Sequence, residues 1–227
     1  MVHRVKALIA ATALATLWAT CASAGNTNHG GSNDSGGSQI LNGQVQLQTV
    51  WSNLNANADT VAGDVAVQGA AGGNMIDIMT MNNTRVQNNQ TVGNLAAIGS
   101  NINSNINNIG GSVGIANQVL CNGASVSTDP TLTQVNSNQV CNANDPSSKI
   151  SATVTNVFGD VAMQGSAIGN TFEADSNARN FPINNMQMNN SITASTINSK
   201  VYNVGGSVSM SSSAIGNTGQ ILHYNTH

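Results

Sequence analysis

The chain is short of charge. Lys, Arg, Asp and Glu make up 7% of it, where a soluble globular domain carries roughly 25%, and Glu173 is the only glutamate. General acid–base and nucleophilic catalysis need ionisable groups held close together, and here there are few to assemble. Aromatic residues are equally scarce at 3%, so a core of large rings is excluded, and the apolar 40% is mostly Val, Ile, Ala and Met. Side chains of this size suit a thin, close-packed β interior. The signature H-E-x-x-H is missing, as are the phosphate loop and the dinucleotide fingerprint. No cofactor is expected.

Polarity comes instead from Asn, Gln, Ser, Thr and Gly, and their arrangement is periodic. The segment NVFGDVAMQGSAIGN, residues 156–170, returns as NVGGSVSMSSSAIGN, residues 203–217, with weaker copies at 60–74 and 108–122. The glycine of G-[DS]-V falls at Gly63, Gly111, Gly159 and Gly206, at intervals of 48, 48 and 47 residues. A constant period of this size indicates a solenoid, propeller or array. Helix periodicity is poor, and Gly, Asn and β-branched residues are too frequent for long helices. The expected fold is therefore all-β, a β-solenoid of 48-residue repeats. The pair Gly93-Asn94-Leu95 and Ala97-Ile98-Gly99 lies 30 residues into the first copy, which suggests two coils of roughly 24 residues per repeat.

Residues 1–24 combine Arg4 and Lys6, an apolar run and an Ala-Ser-Ala end. This reads as a secretory signal peptide cleaved between Ala24 and Gly25. A bacterial lipoprotein signal also ends in a cysteine, and Cys21 raises that alternative, although Trp18-Ala19-Thr20 departs from the usual lipoprotein pattern. Removing the leader leaves four Lys and Arg against nine Asp and Glu, a net charge of −5. No basic patch for nucleic acid is left. Residues 25–38, GNTNHGGSNDSGGS, hold nothing to bury and read as a flexible linker in which His29 is solvated.

Residues 39–62 are expected to form an N-terminal capping region ahead of a repeat domain, residues 63–227, with copies starting at 63, 111, 159 and, partially, 206. Gln44 to Trp51 alternates, placing Val45, Leu47, Thr49 and Trp51 on one face as the buried side of a strand and Trp51 as a seal on the core. Each repeat opens on a strand whose alternate residues point inward, so that Val65, Val113, Val161 and Val208 form a ladder. Asn108, Asn156 and Asn203 each precede a glycine by two or three residues. There an Asn takes a turn conformation or stacks amide to amide with its counterparts. The Asn and Gly of 156–170 read as turn residues, and the runs ASTINSK and NINSNINNI read as strands.

Cys121 and Cys141 are expected to pair in an oxidising compartment, the alternative being two buried thiols. With no nearby histidine and no C-x-x-C, a metal site is not expected. The region around them, flanked by Asp129-Pro130 and Asp145-Pro146, reads as an excursion from the second repeat. Phe181-Pro182 marks a corner in the third repeat, and Ile221 to Tyr224 a final edge strand. Glu173 and Asp175, two residues apart, are the one pair that could serve a polysaccharide-cleaving β-helix enzyme, but solvated surface charge is the simpler account. A flat Thr/Asn array binding ice or another crystal is a further alternative, without a regular T-x-T ladder to support it.

The blocks A-I-G-N at 167–170 and 214–217, following G-D-V-A-M and G-S-V-S-M, resemble those of the holdfast anchor proteins of stalked alphaproteobacteria. These outer-membrane-associated proteins fasten an adhesive polysaccharide to the cell pole. The compositional bias is also similar to that of curlin, without the curlin spacing. The resemblance implies a secreted bacterial cell-surface protein with no catalytic residues. It would self-associate or dock onto other outer-membrane or adhesin proteins, and onto extracellular polysaccharide.

Overall fold

The computed structural model describes residues 38–80, 83–128, 133–177 and 180–224. The expected leader with its Ala24–Gly25 junction, the linker with His29, the Asp129-Pro130 corner and the last three residues lie outside the described residues. What is described is β-structure: β1 (Ser38–Gln46), β2 (Val50–Val61), β3 (Val65–Thr80), β4 (Thr84–Val92), β5 (Ala97–Ile109), β6 (Val113–Thr128), β7 (Thr133–Cys141), β8 (Asn144–Val157), β9 (Val161–Ser176), β10 (Ile183–Asn189), β11 (Ala194–Val204) and β12 (Val208–His223). NINSNINNI lies in β5 and ASTINSK in β11, both as strands.

The strands form three parallel sheets of four, in the orders β1-β4-β7-β10, β11-β8-β5-β2 and β12-β9-β6-β3. Each strand pairs with the one three places further along the chain. Val65, Val113, Val161 and Val208 lie in one column, and so do Leu54, Ile102, Ile150 and Ile197. In the first sheet the matching column is Ile40, Val86, Val135 and Ile183. Such an architecture is compatible with a β-solenoid.

The interval between paired strands corrects the expectation of two coils per repeat. Gly63 and Gly111 begin neighbouring turns, but residues 93–96 form the corner between β4 and β5, and Ala97–Gly99 opens β5, rather than making a second copy of that turn. Three strands occupy the 48 residues, and the chain pairs with itself only after the third.

The long strands of the third sheet bend midway. In β9 the buried positions are Val161, Met163, Gly165, Ala167 and Gly169, and then, one step out of phase, Asn170, Phe172, Ala174 and Ser176. The first half packs on the second sheet, in a cluster that includes Ile102, Ile106, Ile150, Val154 and Met163. The second half packs on the first sheet, joining Phe172 and Val126 to Val86 and Val135. At the bend a side chain would collide with the next rung: a Cβ on Gly169 would meet the Gly216 carbonyl oxygen. Asn170 is thus a buried mid-strand residue, not the turn residue expected.

Two further expectations are corrected. In β1 the inward residues are Ile40, Asn42, Gln44 and Gln46, while Val45 and Leu47 face solvent at 65% and 64% exposure. Trp51, on the outer side of β2, lies over Gly99 instead of sealing the core. The region between the cysteines is no excursion either, because residues 122–128 finish β6 and 133–141 form β7, both in register with their neighbours.

Candidate functional site

Residues expected to carry chemistry are dispersed. Glu173 and Asp175 occupy the outer face of β9, on either side of buried Ala174, and Ser127 Oγ donates to Asp175 Oδ2 at 3.2 Å. Their cross-strand neighbours are Ser125 and Gln220, and Ser127 and Leu222. Among the described residues no three His, Cys, Asp or Glu come together to hold a metal. Cys121 and Cys141 form a disulfide that ties the bend of β6 to the end of β7 across the interior.

At the corner between the second and third sheets, Asn108, Asn156 and Asn203 all take positive φ, at 55°, 55° and 52°. Asn tolerates this left-handed region better than other side chains with a Cβ. The same residues stack: Asn203 Nδ2 donates to Asn156 Oδ1 at 2.8 Å, Asn156 Nδ2 to Asn108 Oδ1 at 3.1 Å, and Asn108 Nδ2 to Asp59 Oδ1 at 3.0 Å. The two roles open in the sequence are taken together. Beside them a Ser/Asp column caps backbone amides from rung to rung. Ser112 N–H donates to Asp64 Oδ1 at 2.7 Å, Asp160 N–H to Ser112 Oγ at 3.1 Å, and Ser207 N–H to Asp160 Oδ1 at 2.7 Å.

The most ordered polar arrays lie inside. Gln44, Gln90, Gln139 and Gln187 form one column of the first sheet, and each amide donates to the one before it: Gln90 Nε2 to Gln44 Oε1 at 2.8 Å, Gln139 to Gln90 at 2.9 Å, Gln187 to Gln139 at 2.9 Å. The second N–H of each reaches across to the third sheet, to the carbonyls of Met75, Gly123, Thr171 and Thr218. Asn74, Asn122, Asn170 and Asn217 return the arrangement from the third sheet in the opposite sense. Asn74 Nδ2 donates to Asn122 Oδ1 at 2.9 Å, Asn122 to Asn170 at 2.7 Å and Asn170 to Asn217 at 2.7 Å. Their second N–H groups reach the carbonyls of Thr91, Val140 and Met188 in the first sheet. Burying an amide is unfavourable unless its hydrogen bonds are made. Here each rung supplies the partner that the next one needs.

The periodicity that located Asn170 and Asn217 at the ends of the A-I-G-N blocks could have identified this ladder, because a polar residue repeating in register with buried Val is itself a sign of a stacked amide. The Gln column carried a weaker signal, since its spacings are 46, 49 and 48 residues.

Outside, the second sheet presents a flat amide surface: Asn53, Asn55 and Asn57 of β2 stand beside Asn101, Asn103 and Asn105 of β5. A shallow open groove there is lined by Asn55, Asn103, Asn105, Ser151, Asn198 and Lys200. Among the described residues, β1, β2 and β3 at one end of the stack and β10, β11 and β12 at the other each have a sheet neighbour on one side only. Set against known protein families, curated proteins and solved structures, the chain matches none.

Proposed function

We propose that this chain is a secreted structural protein of the bacterial cell surface, a β-solenoid with one three-stranded coil per 48-residue repeat. In this reading it serves as an anchoring or fibre-forming subunit that self-associates and mediates surface attachment, as its resemblance to holdfast anchor proteins implies, and it performs no catalysis. The observation that carries the reading is the pair of ends that no described residue covers, each made of three parallel strand edges. Parallel edges with unpaired N–H and C=O groups are templates for further strands, and repeat proteins that remain single end in polar capping repeats.

The uncharged amide surface of the second sheet supports a role in contact rather than in chemistry. It offers donors and acceptors at regular spacing to adhesin proteins or to the hydroxyl groups of extracellular polysaccharide. Purified protein should form concentration-dependent oligomers or fibres, and deletion in the source bacterium should reduce surface attachment while the protein is seen at the cell envelope. A protein that stays monomeric at high concentration, with attachment unaffected by its loss, would rule the proposal out. Glu173→Gln should leave attachment unchanged.

A further inference from the structure

Resting on that self-association, we infer that the partner of each end is the opposite end of a second copy. The copies add head to tail, with the β10–β11–β12 rung of one laid in register on the β1–β2–β3 rung of the next. The two interior ladders specify this. Among the described residues, Gln187 Oε1 at the C-terminal end accepts no hydrogen bond, while Gln44 Nε2 at the N-terminal end uses only one of its two N–H groups, on Met75 O. The Asn ladder runs the other way. Asn74 Oδ1 is the open acceptor at the N-terminal end, and Asn217 Nδ2, whose one contact is a long 3.4 Å bond to Gln187 O, is the donor at the C-terminal end.

A copy translated by one rung, about 4.8 Å, brings Gln44 onto Gln187 and Asn74 onto Asn217. Donor meets acceptor in both columns. The corner continues in the same sense, because Ser207 Oγ then stands where Ser112 Oγ stands for Asp160, ready to accept from the backbone amide of the next copy's Asp64.

Apolar columns point to the same occupant. Val208, Met210 and Ile221 are 46%, 48% and 53% exposed, whereas their in-register neighbours Val161, Met163 and Ala174 are at most 2% exposed. Only a further rung would bury them alike, and continuing the register puts Val65, Val67 and Ile78 of the next copy over them. Such an interface joins two different surfaces, so it does not close on itself and produces a polar filament.

Two nearly isosteric substitutions separate the ends. Gln44→Glu keeps the acceptor that Gln90 uses but removes the donor aimed at the next copy. Asn217→Asp keeps the acceptor that Asn170 uses but removes the donor at the other end. Each variant alone should need at least about tenfold more protein to assemble than wild type, since an ionised acceptor then faces an acceptor in a buried column. An equimolar mixture should give dimers and nothing longer, read by analytical ultracentrifugation. Asn105→Asp, the same charge change on the outer face, should assemble like wild type. Circular dichroism checks that each variant is folded.

An independent readout is the double variant Asp64→Cys/Ser207→Cys. These positions would be one rung apart only between copies, so oxidation should give a ladder of disulfide-linked multimers on non-reducing gels. Single variants that assemble as readily as wild type, Gln44→Glu dimers formed without a partner, an Asn105→Asp chain blocked like the others, or no disulfide ladder would each overturn head-to-tail stacking while leaving self-association in place. A wild-type chain that is monomeric throughout would overturn both.

Discussion

At the scale of the residue, stability depends on amides with a partner above and below. Asn122 is fully buried, accepts from Asn74, and donates to Asn170 and to the Val140 carbonyl. Asn122→Ala removes all three bonds and leaves the Asn74 donor and the Asn170 acceptor unmatched. The expected loss is about 2–4 kcal/mol by chemical denaturation. Asn103→Ala, on the exposed face, should change stability by less than about 0.5 kcal/mol. Asn156 is held at φ 55°, a region that a β-branched residue enters only with strain. Asn156→Val should therefore destabilise by about 1–3 kcal/mol and Asn156→Gly by less, because glycine meets no steric cost there.

At the scale of the element, the disulfide and the bend act together. Cys121 and Cys141 are 20 residues apart in sequence, and by the loop-entropy argument their bond restricts the unfolded chain by about 3 kcal/mol. Reduction, or the Cys121→Ser/Cys141→Ser pair, should lower the unfolding free energy measured by chemical denaturation by that order while leaving the strand signal in circular dichroism, since β6 and β7 keep both their sheet neighbours. The strands themselves were largely legible in the sequence, from their β-branched alternation and from the G-[DS]-V turns. Their bend was not, because the one-residue change of phase at Gly169 and Asn170 leaves no mark in a pattern in which Gly, Asn, Ala and Ser stand on both faces.

At the scale of the whole molecule, each inner strand pairs with the strands three places before and after it, so stability should be close to a sum over rungs and their interfaces. A chain ending at Asn177 retains the first nine strands and moves the open edge to β7, β8 and β9. It should keep its strand content per residue by circular dichroism and unfold at a lower denaturant concentration than the full chain. A sheet whose interior needed the fourth rung would instead lose its strand signal entirely. The same modularity makes the ends the places where the molecule can grow, which is why the proposed assembly relies on ladders begun within one chain.

Periodicity is what the sequence by itself determined. The recurring G-[DS]-V turn, the inward Val, Ile and Met and the corner asparagines follow from local chemistry: glycine for the tight corner, β-branched residues for pleated strands, Asn for positive φ. Which polar residues are buried was decided only by the tertiary structure. Gln44 and Asn170 resemble surface or turn residues until a partner amide 46 to 48 residues away is placed against them, because the cost of burying an amide disappears only when both of its hydrogen bonds are made. The face assignment of β1, the pairing of each strand with the one three places on and the opposed ladders at the two ends all depend on that register. Pairing between distant strands sets it, and no local segment contains it.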